Sequence, residues 1–320
     1  MRHGDLRSRE FMMASWGGKI ILALLLLATV ACHAPGHGPM WDSFVQRGRI
    51  AGEVSAEDGL ALSFRGELPA PGEIADGPVL LLIHGWCGES QVWGPLDELP
   101  WSGHNVVSLD LAHHGASATG RADLSVNAFA LDIVQLIDHL GLDETVLVGH
   151  GWGAQVALEA AALRPKVVRG VLAVEALHDL SQEFTVEQVT LMEQAFTSDF
   201  AGTMEHYLQW LVGPSAGPEV SLRLLQAMTS VPRDTALATL HGAFLHDVRA
   251  SLVTLPAPLV LLNGDQRGTN LAALRELVPF ACVELVPGAG HFPQWEQPLK
   301  FGAALDRALA TIAALWEMRS

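Results

Sequence analysis

Cysteine is scarce in this chain of 320 residues: Cys32, Cys87 and Cys282 are the whole supply. Three thiols cannot make a disulfide framework and their spacing fits no zinc motif, so neither bridges nor metal are expected to hold the fold. Cations are outnumbered as well, with 19 Lys and Arg against 35 Asp and Glu and a net charge of −16. Such a field repels phosphate backbones, which argues against nucleic-acid binding. Charged residues make up only 17% of the chain while 49% is hydrophobic, so a disordered chain is excluded and a sizeable core is expected. The 31 glycines follow no three-residue period, which excludes a collagen-like chain. Internal repeats and low-complexity tracts are missing too.

One long uninterrupted apolar run stands at Ile20 to Val30, preceded by Lys19 and several arginines and followed by Ala31-Cys32. As a helix it would reach roughly 16 Å, about half of a hydrocarbon core, so it reads as a cleaved export signal over residues 1–31 and not as a permanent membrane span. The segment is similar to a bacterial lipoprotein signal, in which the cysteine after cleavage receives lipid. That resemblance assigns Cys32 as the lipidation site and residues 32–48 as a tether, and it places the mature protein in the cell envelope, anchored to a membrane. Thr29 departs from the leucine such signals favour three residues before the cysteine.

The body alternates short apolar runs with helical stretches. Two extended segments, Arg49 to Val54 and Leu60 to Leu68, flank a hairpin turn at Glu57-Asp58-Gly59. Buried strands are expected at Pro78 to Ile83, Val106 to Leu109, Thr145 to Val148, Val171 to Val174, Leu259 to Leu262 and Cys282 to Val286. Helical periodicity fills the intervals, for instance Val126 to Leu140 and Ala154 to Leu163, and a last helix is expected from Trp295 to Met318. This alternation predicts an α/β fold with a doubly wound, mostly parallel sheet. Residues 178–250 carry helical patterns only, opening on the capping box Thr185 to Gln188, and read as a helical cap inserted into a core of residues 49–177 and 251–318.

Four segments carry chemistry. Leu147-Val-Gly-His-Gly-Trp-Gly153 runs from a strand into a glycine-flanked turn and a small-residue helix, the setting of a nucleophile elbow. His84-Gly-Trp-Cys87 follows a strand, Asp110-Leu-Ala-His-His-Gly-Ala-Ser117 follows the next, and Gly288-Ala-Gly-His-Phe-Pro293 follows the last. On these four motifs, in this order, the chain resembles the α/β-hydrolase superfamily from about residue 49 to 318. The resemblance implies a protein for small apolar esters or related acyl compounds, with no cofactor. It makes His291 the catalytic base and the backbone amides of Trp86 and Trp152 the oxyanion hole. His84, Gly85, Cys87 and His150 are expected to line the substrate mouth. The acid is either Glu175, at the tip of the sixth strand, or Asp265, in the loop after the seventh; the position family members use more often in that loop holds Arg267.

The chain departs from the family where the chemistry starts, because Gly151 occupies the nucleophile position normally filled by Ser, Asp or Cys. A glycine has no atom to attack a carbonyl, and loss of the nucleophile in a triad removes on the order of a millionfold in rate. A glycine also relieves the backbone strain of an elbow, about 1–3 kcal/mol for other residues. Three readings stay open: a hydrolase with impaired or lost catalysis, a non-catalytic ligand- or partner-binding relative, and a proton-transfer enzyme using the His–acid pair alone, as cofactor-independent dioxygenases and lyases do. Cys87 as a substitute nucleophile lacks any neighbour that would lower its pKa. Adjacent His113 and His114 in a turn are poorly placed to share a metal, and no metal is expected.

Overall fold

The computed structural model describes residues 47–69, 77–96, 98, 100–182 and 184–319. The expected signal, Cys32 and the tether up to residue 46 lie outside these, and residues 47 and 48 of the expected tether belong to the first strand. All eight expected strands form: β1 (Arg47–Ser55), β2 (Ala61–Pro69), β3 (Val79–Ile83), β4 (Asn105–Leu109), β5 (Thr145–His150), β6 (Val168–Val174), β7 (Leu259–Gly264) and β8 (Cys282–Val286). They make one sheet in the order β1-β2-β4-β3-β5-β6-β7-β8, antiparallel at β1/β2 and β2/β4 and parallel elsewhere.

The parallel strands are apolar throughout because both faces are covered. Leu81 and Ile83 of β3 face one layer with Phe129, Ile133 and Ile137, while Leu80 and Leu82 face the other with Phe301, Leu305 and Ile312. Helix α1 (Val126–Leu140) supplies the first layer; Ser125 caps its start by accepting the Ala128 N–H, and Gly141, at φ +60°, ends it. Helix α2 (Gly153–Leu163) packs beside it. Between β6 and β7 come α3 (Val186–Ser198), α4 (Phe200–Leu211), α5 (Pro218–Ser230) and α6 (Arg233–Leu245), with the Thr185–Gln188 capping box formed as the sequence reads. The shorter α7 (Val248–Val253) and α8 (Leu271–Leu277) flank β7. The last helix is broken into α9 (Pro293–Glu296) and α10 (Pro298–Glu317), because Gln297 precedes a proline and leaves the helical region.

Of the described cysteines, Cys87 is a free buried thiol. Strand β3 neighbours β4 on one side and β5 on the other, so the winding reverses between β3 and β5. Ligand crevices of open α/β sheets lie at the carboxyl ends of strands at such a reversal. The histidine–glycine loop, the elbow, Glu175, Arg267 and His291 all follow strands that end there.

Candidate active site

The elbow has its full backbone form. Gly151 sits at φ +52° directly after β5, and its N–H donates to the Val174 carbonyl at 2.9 Å. A Cβ at Gly149 would lie 2.5 Å from the Gly153 carbonyl and 2.6 Å from Ala154, so only glycine lets the strand turn this sharply into α2. At Gly151 itself a Cβ would meet one neighbour, His291, at 3.3 Å from Nε2 and 3.5 Å from Cε1. The missing side chain would therefore project toward the base nitrogen.

His291 is held from several sides. Its N–H donates to the Leu211 carbonyl at the end of α4 at 3.0 Å, and its own carbonyl accepts from His150 Nε2 at 2.7 Å. Buried Glu296 braces the loop around it, with Oε2 accepting the amides of Gly213 at 2.9 Å and Gly290 at 2.8 Å and Oε1 accepting that of Phe292 at 3.1 Å. Sequence reasoning missed Glu296; its position five residues after His291 on a short helix was the available signal.

The acid facing this base is Glu175. Its Oε2 lies 3.5 Å from His291 Nδ1 and 3.4 Å from His178 Nε2, and its Oε1 accepts the Gly264 N–H. Glu175 holds φ +49°, a left-handed conformation that costs a residue of this type on the order of 1–3 kcal/mol and turns its carboxylate into the crevice. Burial opposes its ionisation, yet the imidazoles of His178 and His291 outweigh burial and hold the carboxyl well below the usual carboxylate range. Asp265, the other candidate, is exposed and accepts the Gly288 N–H at 2.8 Å, so it caps a turn and does not face His291. His178 is a second partner of the acid that the sequence did not reveal.

Burial lowers the His291 pKa, with Arg267 and His178 adding to the effect and Glu175 opposing it. The imidazole is thus neutral and able to accept a proton near neutral pH. Among the described residues the backbone N–H groups of Trp86 and Trp152 find no acceptor, and the second stands at the start of α2. The Trp86 indole bonds the Ala236 carbonyl of α6 at 2.9 Å and packs edge-on against Phe196 and Tyr207 at 5.1 and 5.7 Å. The Trp152 indole packs on Phe129 at 5.1 Å.

The four residues expected at the substrate mouth, His84, Gly85, Cys87 and His150, are buried. His84 is fully buried, donates through Nδ1 to the Gly85 carbonyl at 2.9 Å and accepts the Leu111 N–H on Nε2 at 3.1 Å. His150 is packed between Trp93 and Phe292, and a Cβ on buried Gly85 would lie 2.7 Å from its Nδ1. Cys87 is fully buried at φ +54°, and burial pushes its thiol pKa up, which removes it as a nucleophile. The imidazoles of His84 and His150 tie neighbouring loops together. His113 joins core to cap, with Nε2 accepting the Gly120 and Arg121 amides at 3.0 and 2.9 Å and Nδ1 reaching the Thr235 hydroxyl at 3.1 Å. His114 donates to the Ala112 carbonyl at 2.9 Å from a buried position.

A strand-tip elbow and a His–carboxylate pair stand at the carboxyl edge of a mostly parallel sheet. Residues 80–304 match the model of the alpha/beta hydrolase family, and the chain belongs to that family. It is 27% identical over 254 residues to a pimeloyl-(acyl-carrier protein) methyl ester esterase of Xylella fastidiosa, covering 74% of this chain and 96% of that protein. In fold it is similar to an esterase from Exiguobacterium antarcticum (TM-score 0.72, 15% identity, 82% of this chain and 100% of the other). A thermophilic esterase from Thermogutta terrifontis superposes with TM-score 0.69 at 22% identity, over 82% of this chain and 99% of the other.

Proposed function

We propose that this chain is an α/β-hydrolase-type protein for small apolar esters or related acyl compounds whose hydrolysis is impaired or lost because Gly151 stands at the nucleophile position. The observation that carries the reading is the direction of the absent Cβ, 3.3 Å from His291 Nε2 and clear of every other neighbour. With a hydroxyl at that position, the oxygen would attack the acyl carbonyl and pass its proton to His291 Nε2. Glu175 would steady the imidazolium, and the Trp86 and Trp152 amides would take the developing oxyanion. Without it, the site still binds, and its His291–Glu175 pair still offers a base.

That intact pair favours a second reading, in which His291 alone removes a proton from a bound ligand, a contribution of roughly 10²–10⁴-fold. The test is hydrolysis of a short- to medium-chain nitrophenyl ester series by the native chain, Gly151→Ser and His291→Ala. Activity confined to Gly151→Ser supports the silenced hydrolase. His291-dependent turnover by the native chain overturns loss of catalysis, and silence in all three moves the reading to a binding module. Export and lipid anchoring at Cys32 rest on the sequence of the leader; a Cys32→Ala chain that stays in the membrane fraction would sink that part.

A further inference from the structure

The loop after β7 places a cation where the site would be expected to hold none. Arg267 lays its guanidinium over the Trp210 ring, 3.9 Å from the centroid, and its Nη2 is buried without a hydrogen-bond partner. Among the described residues it makes no ion pair: the oxygens of Glu175 are taken by His291, His178 and the Gly264 amide. A guanidinium nitrogen buried without a partner is costly, and the ordinary resolution is a planar, two-oxygen acceptor. Arg267 is near enough to the reaction centre for its charge to be felt by His291, Glu175 and the Tyr207 hydroxyl.

Tyr207 stands beside it. Its ring lies nearly parallel to that of Trp210 at 5.9 Å and meets Trp86 edge-on at 5.7 Å, and its hydroxyl bonds no described residue. Two unengaged donors, from Arg267 and Tyr207, thus flank an aromatic wall of Trp86, Phe196 and Tyr207 that leads to the amide of Trp86. In a chain of net charge −16 the overall field repels carboxylates, so an anionic ligand needs a local cation of this kind.

We propose that Arg267 and Tyr207 form a carboxylate-binding subsite beside the reaction centre, and that the ligand is an acyl compound carrying a free carboxylate on a short apolar body. The proposal rests on the site being the ligand-binding cleft of a hydrolase-type protein and names the class of ligand it takes.

The test is calorimetric titration of the native chain with butyrate, hexanoate and octanoate, each beside its neutral primary amide. The carboxylate is expected to bind at least about tenfold tighter than its amide. Arg267→Gln should erase that preference, Tyr207→Phe should cut it severalfold, and Arg267→Lys, which keeps the charge but not the fork, should retain part of it. Equal binding of acid and amide, a preference that survives Arg267→Gln in a chain with a native melting transition, or no saturable binding of any acid overturns the subsite. If Arg267→Gln does not fold, Tyr207→Phe and Arg267→Lys decide, and an unchanged preference in both overturns it. Binding needs no turnover, so the two readings fail separately. An Arg267-dependent preference with an inert Gly151→Ser keeps the subsite and sinks the hydrolase; an active Gly151→Ser without the preference does the reverse.

Discussion

Mild acid should unfold this protein through the histidines that frame its site. His84, His114 and His150 are buried, and burial holds their pKa values at about 4, about 3 and about 3. The hydrogen bonding gives the reason: His84 Nε2 already accepts the Leu111 N–H, and a proton on His114 Nε2 would be a buried donor with no acceptor. In the unfolded chain each titrates near 6.5. Below that pH the unfolded state binds protons the native state refuses, so stability falls as pH falls, by about 1.4 kcal/mol per pH unit per histidine. Asp132 works the other way by one proton. Burial pushes its carboxyl up to about 6 in spite of the two-pronged Arg121 pair, so acid favours its folded form. The balance is a loss of about 3 kcal/mol per pH unit below pH 6, and about 4–5 kcal/mol at pH 5, a large part of the 5–15 kcal/mol typical of a folded protein. His113, His246 and His291, also lowered, act in the same sense. Urea unfolding at pH 7, 6, 5.5 and 5 measures the slope directly. His114→Asn, which keeps a donor for the Ala112 carbonyl, should reduce it by about one proton. Stability that is flat or rising from pH 7 to 5 would refute the reasoning.

Gly151→Ala adds the strained Cβ without a hydroxyl, so it should cost about 1–3 kcal/mol and lower the melting temperature by a few degrees, matched by Gly151→Ser. A melt unchanged by both would mean the elbow relaxes. Glu296→Gln replaces a carboxylate that accepts three amides and should destabilise by about 2–4 kcal/mol. Faster hydrogen exchange at Gly290 and Phe292 would locate the damage in the His291 loop. Cys87, buried and with its thiol pKa raised, should stay unmodified by a thiol reagent in the native state and react in urea; peptide mass spectrometry reads both.

Strands, hairpin and elbow were legible because each rests on local pattern: a continuous apolar run for a strand covered on both faces, and glycines at close approaches for the turn. The acid was not. Glu175 and Asp265 both follow strands, and what separates them is a positive φ at a non-glycine residue and a hydrogen bond from Gly264, neither of which composition encodes. The histidines misled for a related reason. His84, His150 and Cys87 are adjacent in sequence to the reaction centre, but their side chains are buried, and the two imidazoles bond backbone groups. Arg267 was visible only as a departure from an expected carboxylate. Its stacking on Trp210, a residue of a different helix, is a long-range contact that periodicity cannot supply.

The central claim is that everything but the nucleophile is assembled around Gly151. Stoichiometric labelling of Gly151→Ser by a small alkyl fluorophosphonate tests it most directly, because the adduct needs the oxygen, the base and the oxyanion amides together. The expected result is one adduct per chain, on the peptide spanning residue 151, abolished by adding His291→Ala and absent from the native chain and from Gly151→Ala. A folded Gly151→Ser that takes no label, or a native chain labelled at another residue, would contradict the account.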